Sequence, residues 1–294
     1  MMNDMKFTLI GGDLRNVRLA TLLEERGNEV YTFGLEGGAG GKFFYRCNSM
    51  TEAFARGDVV IGPIPFSQDG LRLNAPLHQA DVELQDILDN IPKGRLLIAG
   101  KVPSEFAKKL EDKDVKVIDI MDRDDMAILN SIPTAEGAVQ IAMEELPFTI
   151  HKCNVMVFGL GRVGLTLAVL LKNMGANVLA VVRNSKDVSR AAAFGLDSTT
   201  YDELPLCIGN YKLLYNTVPA KVLDRNVLQF VSNETLIIDL ASRPGGVDFE
   251  YAQFKGIKTV HALSLPGKVA PVTSAMYLET VIYNIIKEEY KGRK

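Results

Sequence analysis

One glycine-rich turn constrains the fold of this chain more than any other feature. The segment N-V-M-V-F-G-L-G-R-V-G places a G-x-G-x-x-G pattern, formed by Gly159, Gly161 and Gly164, directly after an apolar run of β-type residues. An apolar helical stretch follows, and a second β-type run begins at Val178. A strand, glycine turn, helix and strand in this order are typical of a dinucleotide-binding βαβ unit. The alternative is an ordinary βα turn that is rich in glycine.

The predicted cofactor-binding residues share one property, which is that they lie in or beside loops that follow predicted strands. They are Gly159, Leu160, Gly161, Arg162, Val163, Gly164, Arg183, Asn184, Ser185, Lys186, Thr217, Val218 and Pro219. The glycines allow the turn and the following helix N-terminus to approach a pyrophosphate. The segment N-T-V-P is expected to lie at the nicotinamide half of the cofactor.

The end of the second strand identifies the nucleotide. NAD sites place Asp or Glu there, where the carboxylate accepts hydrogen bonds from the ribose 2′-hydroxyl. Here Val182 takes that position, and Arg183, Asn184, Ser185 and Lys186 follow it. These side chains suit a 2′-phosphate, so we predict NADP as the cofactor. The alternative is that Arg183 and Lys186 are solvated charges at a helix start.

The alternation of strands and helices predicts two Rossmann-like, doubly wound parallel-sheet α/β domains linked by long helices. Residues 1–128 together with 271–294 are predicted to form an N-terminal, substrate-side domain, and residues 129–270 the NADP-binding domain. The opening G-G-D-L-R turn lacks the second and third glycines of the nucleotide pattern, so no dinucleotide is expected there. A linking helix is predicted over residues 130–145 with Thr134 as its N-cap, and a last amphipathic helix over residues 270–289.

Composition excludes several function classes. The net charge of −3 gives no electrostatic reason to expect nucleic acid or an anionic membrane as a partner. No apolar run approaches the length of a membrane span, and the polar N-terminus lacks the apolar core of a signal peptide. The three cysteines and three histidines lie far apart, so we expect reduced thiols, no metal site and a cytoplasmic location.

Two cations are predicted to act in catalysis on the substrate side of the site. Arg243 lies in the loop segment D-L-A-S-R-P-G-G-V-D, and Lys268 in the loop segment L-P-G-K-V-A-P. Both loops follow predicted strands, at whose carboxyl ends ligands bind in this fold. A cationic pair suits a carboxylate-bearing substrate, which Arg243 can bind through two hydrogen bonds. The alternatives are a loop-stabilising salt bridge for Arg243 and a solvated surface position for Lys268.

Five further residues are candidates near the predicted domain junction or at a strand end. Glu136 and His261 are candidate proton acceptors, the alternatives being a helix cap for Glu136 and a structural role for His261. Arg123, Ser131 and Thr134 are candidate substrate-binding residues. For Arg123, which lies in the segment D-R-D-D, the alternative is an ion pair inside a charge cluster at a helix start.

The second domain resembles the D-isomer-specific 2-hydroxyacid dehydrogenases. In that family an arginine five residues before an aspartate binds the substrate carboxylate, and Arg243 and Asp248 match this spacing. The catalytic histidine of the family lies in a P-H-x-x-G loop. The corresponding residues 266–270 here read P-G-K-V-A, without a histidine, which argues against the imidazole mechanism of those enzymes.

Five segments along nearly the whole chain are similar to the A subunits of dipicolinate synthase from endospore-forming bacteria. They are I-G-G-D-L-R, D-R-D-D-M-A-I-L-N-S-I-P-T-A-E-G, G-L-G-R-V-G, D-L-A-S-R-P-G-G-V-D-F and L-P-G-K-V-A-P. This resemblance implies a sporulation enzyme of the mother-cell cytoplasm with a B subunit as partner. It implies oxidation of a dihydrodipicolinate-level intermediate, on a branch of the lysine and diaminopimelate pathway, to pyridine-2,6-dicarboxylate.

That reaction agrees with the residues singled out above. Oxidation of a dihydropyridine ring transfers a hydride to NADP⁺, and the protein has to orient the ring and hold a small dicarboxylate substrate. No hydroxyl proton leaves with the hydride, so the missing histidine is understandable. The alternatives are a 2-keto or 2-hydroxy acid reductase and a non-catalytic subunit that senses NADP. We also expect the chain to form a homo-oligomer.

Overall fold

The computed structural model describes residues 4–37 and 44–291, and the chain divides into two compact units. Unit 1 comprises Met1–Ala127 and Pro271–Lys294, and unit 2 comprises Ile128–Ala270. Each unit contains a parallel β-sheet with flanking helices, which confirms the predicted fold class. The two units are described separately below.

Unit 1 contains a six-stranded parallel sheet among the described residues. Its strands are β1 (Lys6–Ile10), β2 (Glu29–Phe33), β3 (Tyr45–Arg46), β4 (Val59–Ile61), β5 (Leu96–Ala99) and β6 (Lys116–Asp119). Its helices are α1 (Leu14–Glu25), α2 (Met50–Arg56), α3 (Leu84–Asn90), α4 (Ser104–Asp112) and α12 (Pro271–Lys291). The strand order β3-β2-β1-β4-β5-β6 is that of a Rossmann domain, with its switch point between β1 and β4.

Unit 2 repeats this topology. Its strands are β7 (Asn154–Phe158), β8 (Asn177–Val182), β9 (Asp197–Thr200), β10 (Leu213–Asn216), β11 (Leu236–Asp239) and β12 (Lys258–His261). Its helices are α6 (Arg162–Asn173), α7 (Ser185–Ala193), α8 (Leu204–Cys207), α9 (Arg225–Leu228), α10 (Phe249–Phe254) and α11 (Leu265–Val269), while α5 (Asp124–Glu145) begins just before the unit boundary. The order β12-β11-β10-β7-β8-β9 places the switch point between β7 and β10.

Strand β7 shows why these sequences form a fully covered sheet. Its last four residues are completely buried. Val155 and Val157 belong to one apolar cluster, and Met156 and Phe158 belong to another on the opposite face. Alternate residues of a strand point to opposite faces, so a continuous apolar run is what a sheet covered on both faces requires.

The glycine turn of unit 1 is covered by the chain itself. The N–H of Gly12 donates to the carbonyl of Asn74 at 2.9 Å. A Cβ on Gly11 would lie 2.8 Å from Cδ2 of Leu73, so these side chains already fill the carboxyl end of β1. This packing supports the prediction that the first turn binds no dinucleotide, which stays a prediction.

Two local predictions are wrong. The linking helix begins at Asp124, ten residues before Thr134, so Thr134 is not an N-cap. Its hydroxyl instead donates to the carbonyl of Asn130 at 2.7 Å, within a helix that continues through Pro133. The segment L-P-G-K-V, predicted as part of a loop, forms the short helix α11, in which Pro266 occupies the first turn.

A buried carboxylate connects α12 to α1 in unit 1. The side chain of Glu279 is 6% exposed, and its Oε1 lies 2.6 Å from Nε of Arg26. The guanidinium of Arg26 also lies over the Tyr283 ring, 5.1 Å from its centroid. Asn28 Nδ2 donates to the Tyr283 hydroxyl at 2.7 Å. Helix α12 is thus held by polar contacts as well as by its apolar face.

We predict that Arg26→Ala lowers the free energy of unfolding, because it leaves the Glu279 carboxylate buried without its cation. Since Arg26 itself is 56% exposed, we expect a loss of about 1–3 kcal/mol rather than the full cost of a broken buried pair. Urea unfolding measures this change. The control is Arg18→Ala, which removes an exposed pair with Glu25 and should cost less than about 0.5 kcal/mol. Equal losses in the two variants would contradict the prediction.

Candidate functional site

The glycine turn of unit 2 connects β7 to α6 through very close contacts. Gly159 has φ +84°, and a Cβ there would lie 2.8 Å from Cγ2 of Val218. A Cβ on Gly164 would lie 2.0 Å from the carbonyl oxygen of Gly159, so only glycine lets α6 pack this closely on the turn. A Cβ on Gly161, by contrast, would meet no atom within 4 Å. The first and third glycines therefore shape the turn, and the second leaves open space beside it.

Helix α6 begins at this open space. Gly161 is its N-cap, and the helix runs for twelve residues from Arg162. The first N–H groups of a helix have no partner within the helix, and they carry partial positive charge. Leu160 is buried in the core, Val163 is half-buried, and Arg162 is exposed. The turn thus has the form of an anion-binding site at the switch point of the sheet.

An open cleft of about 250 Å³ lies beside the turn, at the carboxyl ends of β7, β8 and β10. Its lining residues are Gly159, Leu160, Gly161, Val181, Val182, Arg183, Asp187, Arg190, Tyr201, Thr217, Val218 and Pro219. Most of the predicted cofactor residues are thus brought together. The Thr217 hydroxyl donates to the carbonyl of Phe158 at 2.8 Å, which fixes the N-T-V-P loop against the end of β7.

The residues that follow β8 divide into two groups. Arg183 lines the cleft together with Tyr201; burial raises the pKa of the Tyr201 hydroxyl, and the positive charge of Arg183 opposes this effect in part. Asn184, Ser185 and Lys186 are exposed at the start of α7 and are not among the lining residues. The Asn184 side chain accepts a hydrogen bond from the N–H of Asp187 at 3.0 Å, so it caps α7.

Two residues that line the cleft, Asp187 and Arg190, are not predicted from the sequence. Nη1 of Arg190 donates to Oδ1 of Asp187 at 3.0 Å and to the carbonyl of Leu160 at 3.1 Å. The second contact connects α7 to the glycine turn. Both residues lie inside a helix rather than at the strand end. The sequence signal that could have indicated this ion pair is the presence of opposite charges three residues apart, a spacing that lets side chains meet on one face of a helix.

A buried carboxylate organises the ends of β10 and β11. Asp239 is fully buried, and its Oδ1 accepts hydrogen bonds from Asn216 Nδ2 at 2.8 Å and from the N–H of Ala241 at 3.0 Å. Its Oδ2 accepts from the N–H of Gly246 at 2.7 Å. Asn216 also donates to the carbonyl of Val218 at 3.0 Å, so one network fixes the loops after both strands.

The Pro-Gly-Gly turn beside Arg243 is fixed in place by this network. A Cβ on Gly246 would lie 2.2 Å from Asn216 Nδ2 and 2.7 Å from the carbonyl oxygen of Val218. Arg243 is exposed, and its guanidinium has no hydrogen-bond or ion-pair partner within residues 4–37 and 44–291. Asp248 instead caps α10 and lies 3.6 Å from Lys221. The loop-stabilising salt bridge considered for Arg243 is therefore not among the contacts that the structure describes.

The other predicted catalytic residues occupy different environments. His261 ends β12, its Nε2 lies 2.9 Å from the carbonyl oxygen of Ala241, and its ring stacks on Phe249 at 5.3 Å. Lys268 is exposed on α11. Glu136 is exposed on α5, one residue before a glycine that packs against α11. These contacts favour a structural role for His261, and its predicted catalytic role stays a prediction.

The predicted substrate-binding residues have internal partners. Ser131 is 1% exposed, its hydroxyl donates to the carbonyl of Ile128 at 2.7 Å, and it lies 2.8 Å from the Thr166 hydroxyl. Thr134 donates to its own helix, as described above. In unit 1, Arg123 forms paired hydrogen bonds to Asp125 and to Glu288, and these bonds lower the pKa of both carboxyl groups. None of these contacts supports a role in substrate binding.

The described residues contain neither a candidate metal-binding cluster nor a candidate membrane-spanning helix. No group of three or more His, Cys, Asp or Glu side chains there could hold a metal ion. No described helix is both long and apolar enough to cross a bilayer.

Comparison with known proteins identifies the family. Residues 6–121 match the model of the N-terminal domain of the dipicolinate synthase A subunit. The A subunit of dipicolinate synthase from Bacillus subtilis (strain 168) is 35% identical over 292 residues, which cover 98% of each chain. The chain belongs to the family of dipicolinate synthase A subunits. This confirms the resemblance found in the sequence.

Solved structures agree with this membership. The crystal structure of the A subunit from Bacillus subtilis has a TM-score of 0.89 at 34% identity, covering 98% of this chain and 97% of that one. The structure of the A subunit from Bacillus halodurans has a TM-score of 0.88 at 29% identity, covering 97% and 98%. A transhydrogenase from Sinorhizobium meliloti shares the fold, with a TM-score of 0.67 at 17% identity over 96% of this chain and 94% of that one.

The glycine contacts predict opposite outcomes for two alanine substitutions. Gly164→Ala should destabilise the protein, because its Cβ would overlap the carbonyl of Gly159. Gly161→Ala should lower the stability by only about 1 kcal/mol or less, because its Cβ meets open space and the substitution loses only the preference of the N-cap position for glycine over alanine. Gly161→Ala should nevertheless weaken nucleotide binding by roughly tenfold or more, because its methyl group enters the space left for a ligand. Calorimetry measures the stability and the nucleotide affinity of each variant. Unchanged nucleotide binding in Gly161→Ala would show that the glycine turn is not part of the nucleotide site.

Proposed function

We propose that this chain is the NADP-dependent dehydrogenase component of dipicolinate synthase. It oxidises a dihydrodipicolinate-level intermediate of the lysine and diaminopimelate pathway to pyridine-2,6-dicarboxylate. The observation that carries this proposal is the cationic cleft beside the glycine turn, in a chain of the dipicolinate synthase family. The family name and the Rossmann topology of unit 2 both support an oxidoreductase that uses a nicotinamide cofactor.

The residues of unit 2 fit a dinucleotide. Open space at Gly161 and the start of α6 suit the pyrophosphate, and we propose that Thr217, Val218 and Pro219, which line the same cleft, contact the nicotinamide half. Val182, which ends β8, is buried and apolar, so it offers no acceptor to a ribose 2′-hydroxyl. Arg183 and Arg190 give the cleft two cations against the single carboxylate of Asp187, a balance that favours NADP.

The protein's part in the reaction is to orient the substrate. NADP⁺ bound beside the glycine turn would supply the acceptor for the hydride that the dihydropyridine ring loses, together with one proton, on becoming aromatic. The guanidinium of Arg243 has no partner among the described residues and lies on a turn fixed by Asp239, and we propose that it binds one substrate carboxylate through two hydrogen bonds. Lys268 is proposed for the second carboxylate, and Glu136 and His261 remain the candidate proton acceptors. Unit 1 is proposed as the substrate-side domain.

The family name also supports the wider setting of the proposal. The Bacillus subtilis relative is named as an A subunit, which implies a second component, and we propose the B subunit of dipicolinate synthase as the partner of this chain. We propose that the reaction takes place in the cytoplasm of the mother cell of a sporulating bacterium and that the chain acts as an oligomer.

A turnover assay tests the proposed reaction. NADP⁺ and freshly generated lysine-pathway intermediate should give rising absorbance at the reduced-nicotinamide band together with pyridine-2,6-dicarboxylate. Arg243→Lys should lower turnover by roughly 10- to 100-fold with NADP⁺ affinity nearly unchanged, because an ammonium cannot replace the planar two-point contact. The assay is run with and without the B subunit. Nucleotide binding without turnover under both conditions would favour a role in sensing NADP, and Arg243→Lys activity within about twofold of normal would exclude the role of Arg243.

Cofactor choice is tested separately by binding. NADP⁺ should bind more tightly than NAD⁺, and Arg183→Ala should remove about 1–3 kcal/mol of that preference, the scale of a charged hydrogen bond. Dissociation constants for both nucleotides measure this difference. Lys186→Ala is the matched comparison, because Lys186 is exposed and does not line the cleft, and it should have the smaller effect. A native preference for NAD⁺ would contradict the proposed cofactor.

A further inference from the structure

The ion pair between Asp187 and Arg190 occupies an unusual place for a surface pair on one helix. Arg190 belongs to the second turn of α7, and its side chain reaches the carbonyl of Leu160 at 3.1 Å, inside the G-x-G segment of the glycine turn. Most of the surface of both side chains is covered, with 36% of Arg190 and 23% of Asp187 exposed. The pair therefore lies in the wall of the nucleotide cleft.

The hydrogen bonds leave part of each side chain unused. Both hydrogen bonds of the Arg190 side chain involve Nη1, and the contact of Asp187 involves Oδ1. Among the residues that the structure describes, Nε and Nη2 of Arg190 and Oδ2 of Asp187 have no partner. A guanidinium that is hydrogen-bonded through only one of its nitrogens can still donate from the other two to an anion. The carboxylate keeps an oxygen that is able to accept from a hydroxyl.

The pair can discriminate between nucleotides in two opposite ways. A carboxylate that accepts hydrogen bonds from ribose hydroxyls favours NAD, whereas an arginine that binds the 2′-phosphate favours NADP. Two observations favour the arginine. Asp187 already accepts a charged hydrogen bond from Arg190, and Arg183 adds a second cation to the same cleft. One carboxylate facing two cations leaves net positive charge for a phosphate group.

We propose that Arg190 is a specificity-determining residue that binds the 2′-phosphate of NADP, and that Asp187 holds Arg190 in position as its counter-ion. This inference rests on the proposed use of NADP and adds a residue outside the segment that follows β8. The contact with Leu160 sets the distance of the guanidinium from the glycine turn. Asp187 orients the guanidinium in the absence of nucleotide and does not itself bind the ribose.

Dissociation constants of NADP⁺ and NAD⁺ for the full-length chain and two variants test the proposal. Arg190→Gln should weaken NADP⁺ binding by roughly 10- to 100-fold and change NAD⁺ binding by less than about twofold, because only the contact with the 2′-phosphate is lost. Asp187→Asn should leave NADP⁺ binding unchanged or make it up to about tenfold tighter, because an amide oxygen can still accept the hydrogen bond that orients Arg190 while the competing negative charge is removed. The control is Lys258→Gln, which removes one positive charge at the amino end of β12, where Lys258 pairs with Glu145.

Other outcomes would overturn the proposal in distinguishable ways. Equal weakening of both nucleotides in Arg190→Gln would assign Arg190 to the pyrophosphate or to the shape of the turn. Weaker NAD⁺ binding in Asp187→Asn, with NADP⁺ binding to Arg190→Gln unchanged, would make Asp187 the acceptor for the ribose hydroxyls. A native chain that binds NAD⁺ more tightly than NADP⁺ would contradict the proposed cofactor itself. A native preference for NADP⁺ that is undiminished in Arg190→Gln would overturn only the role of Arg190.

Discussion

The buried carboxylate of Asp239 is the constraint on which the site in unit 2 depends. A fully buried charge is costly unless its oxygens are hydrogen-bonded, and here three N–H groups satisfy them. Those donors come from the end of β10 and from the turn after β11, so the cost of burying the charge is offset only when both loops are in place. The same network thereby positions Val218, which lines the cleft, and the turn that carries Arg243. The guanidinium of Arg243 has no partner among the described residues, so it is available for a ligand.

The two units have the same strand order, but they differ at the carboxyl ends of their strands. Both sheets have the Rossmann strand order, and both have glycines after the first strand. In unit 1 the N–H of Gly12 is bonded to Asn74, and Leu73 packs where a ligand would contact the turn. In unit 2 the corresponding space at Gly161 is open. The difference lies in the loop that returns over the strand end, so strand order alone does not determine whether the turn after the first strand has open space beside it.

The sequence was sufficient for features that depend on local patterns. Strands β7 and β8 lie before and after the glycine turn and its helix as the sequence predicts, because apolar runs bounded by turn residues define buried strands. The predicted start of α5 is wrong because Pro133 suggests a helix boundary, whereas the helix begins at Asp124 and continues through Pro133. Asp187 and Arg190 were missed because the contact of Arg190 with Leu160 joins residues thirty positions apart. The internal partners of Ser131 likewise depend on packing against α6, which no local pattern shows.

The two arginines predicted to contact substrate, Arg123 and Arg243, differ in whether each already has an ion-pair partner among the described residues. Arg123 and Arg243 are both arginines in loops or helix starts with nearby carboxylates in sequence, and both were predicted to contact substrate. Arg123 already forms paired hydrogen bonds with Asp125 and Glu288, so binding a substrate carboxylate would require breaking contacts of equal strength. Arg243 has no such competitor among the described residues, because Asp248 lies beside Lys221 instead. A substrate carboxylate at Arg243 would therefore gain a charged hydrogen bond without displacing one, whereas at Arg123 the exchange would be close to neutral.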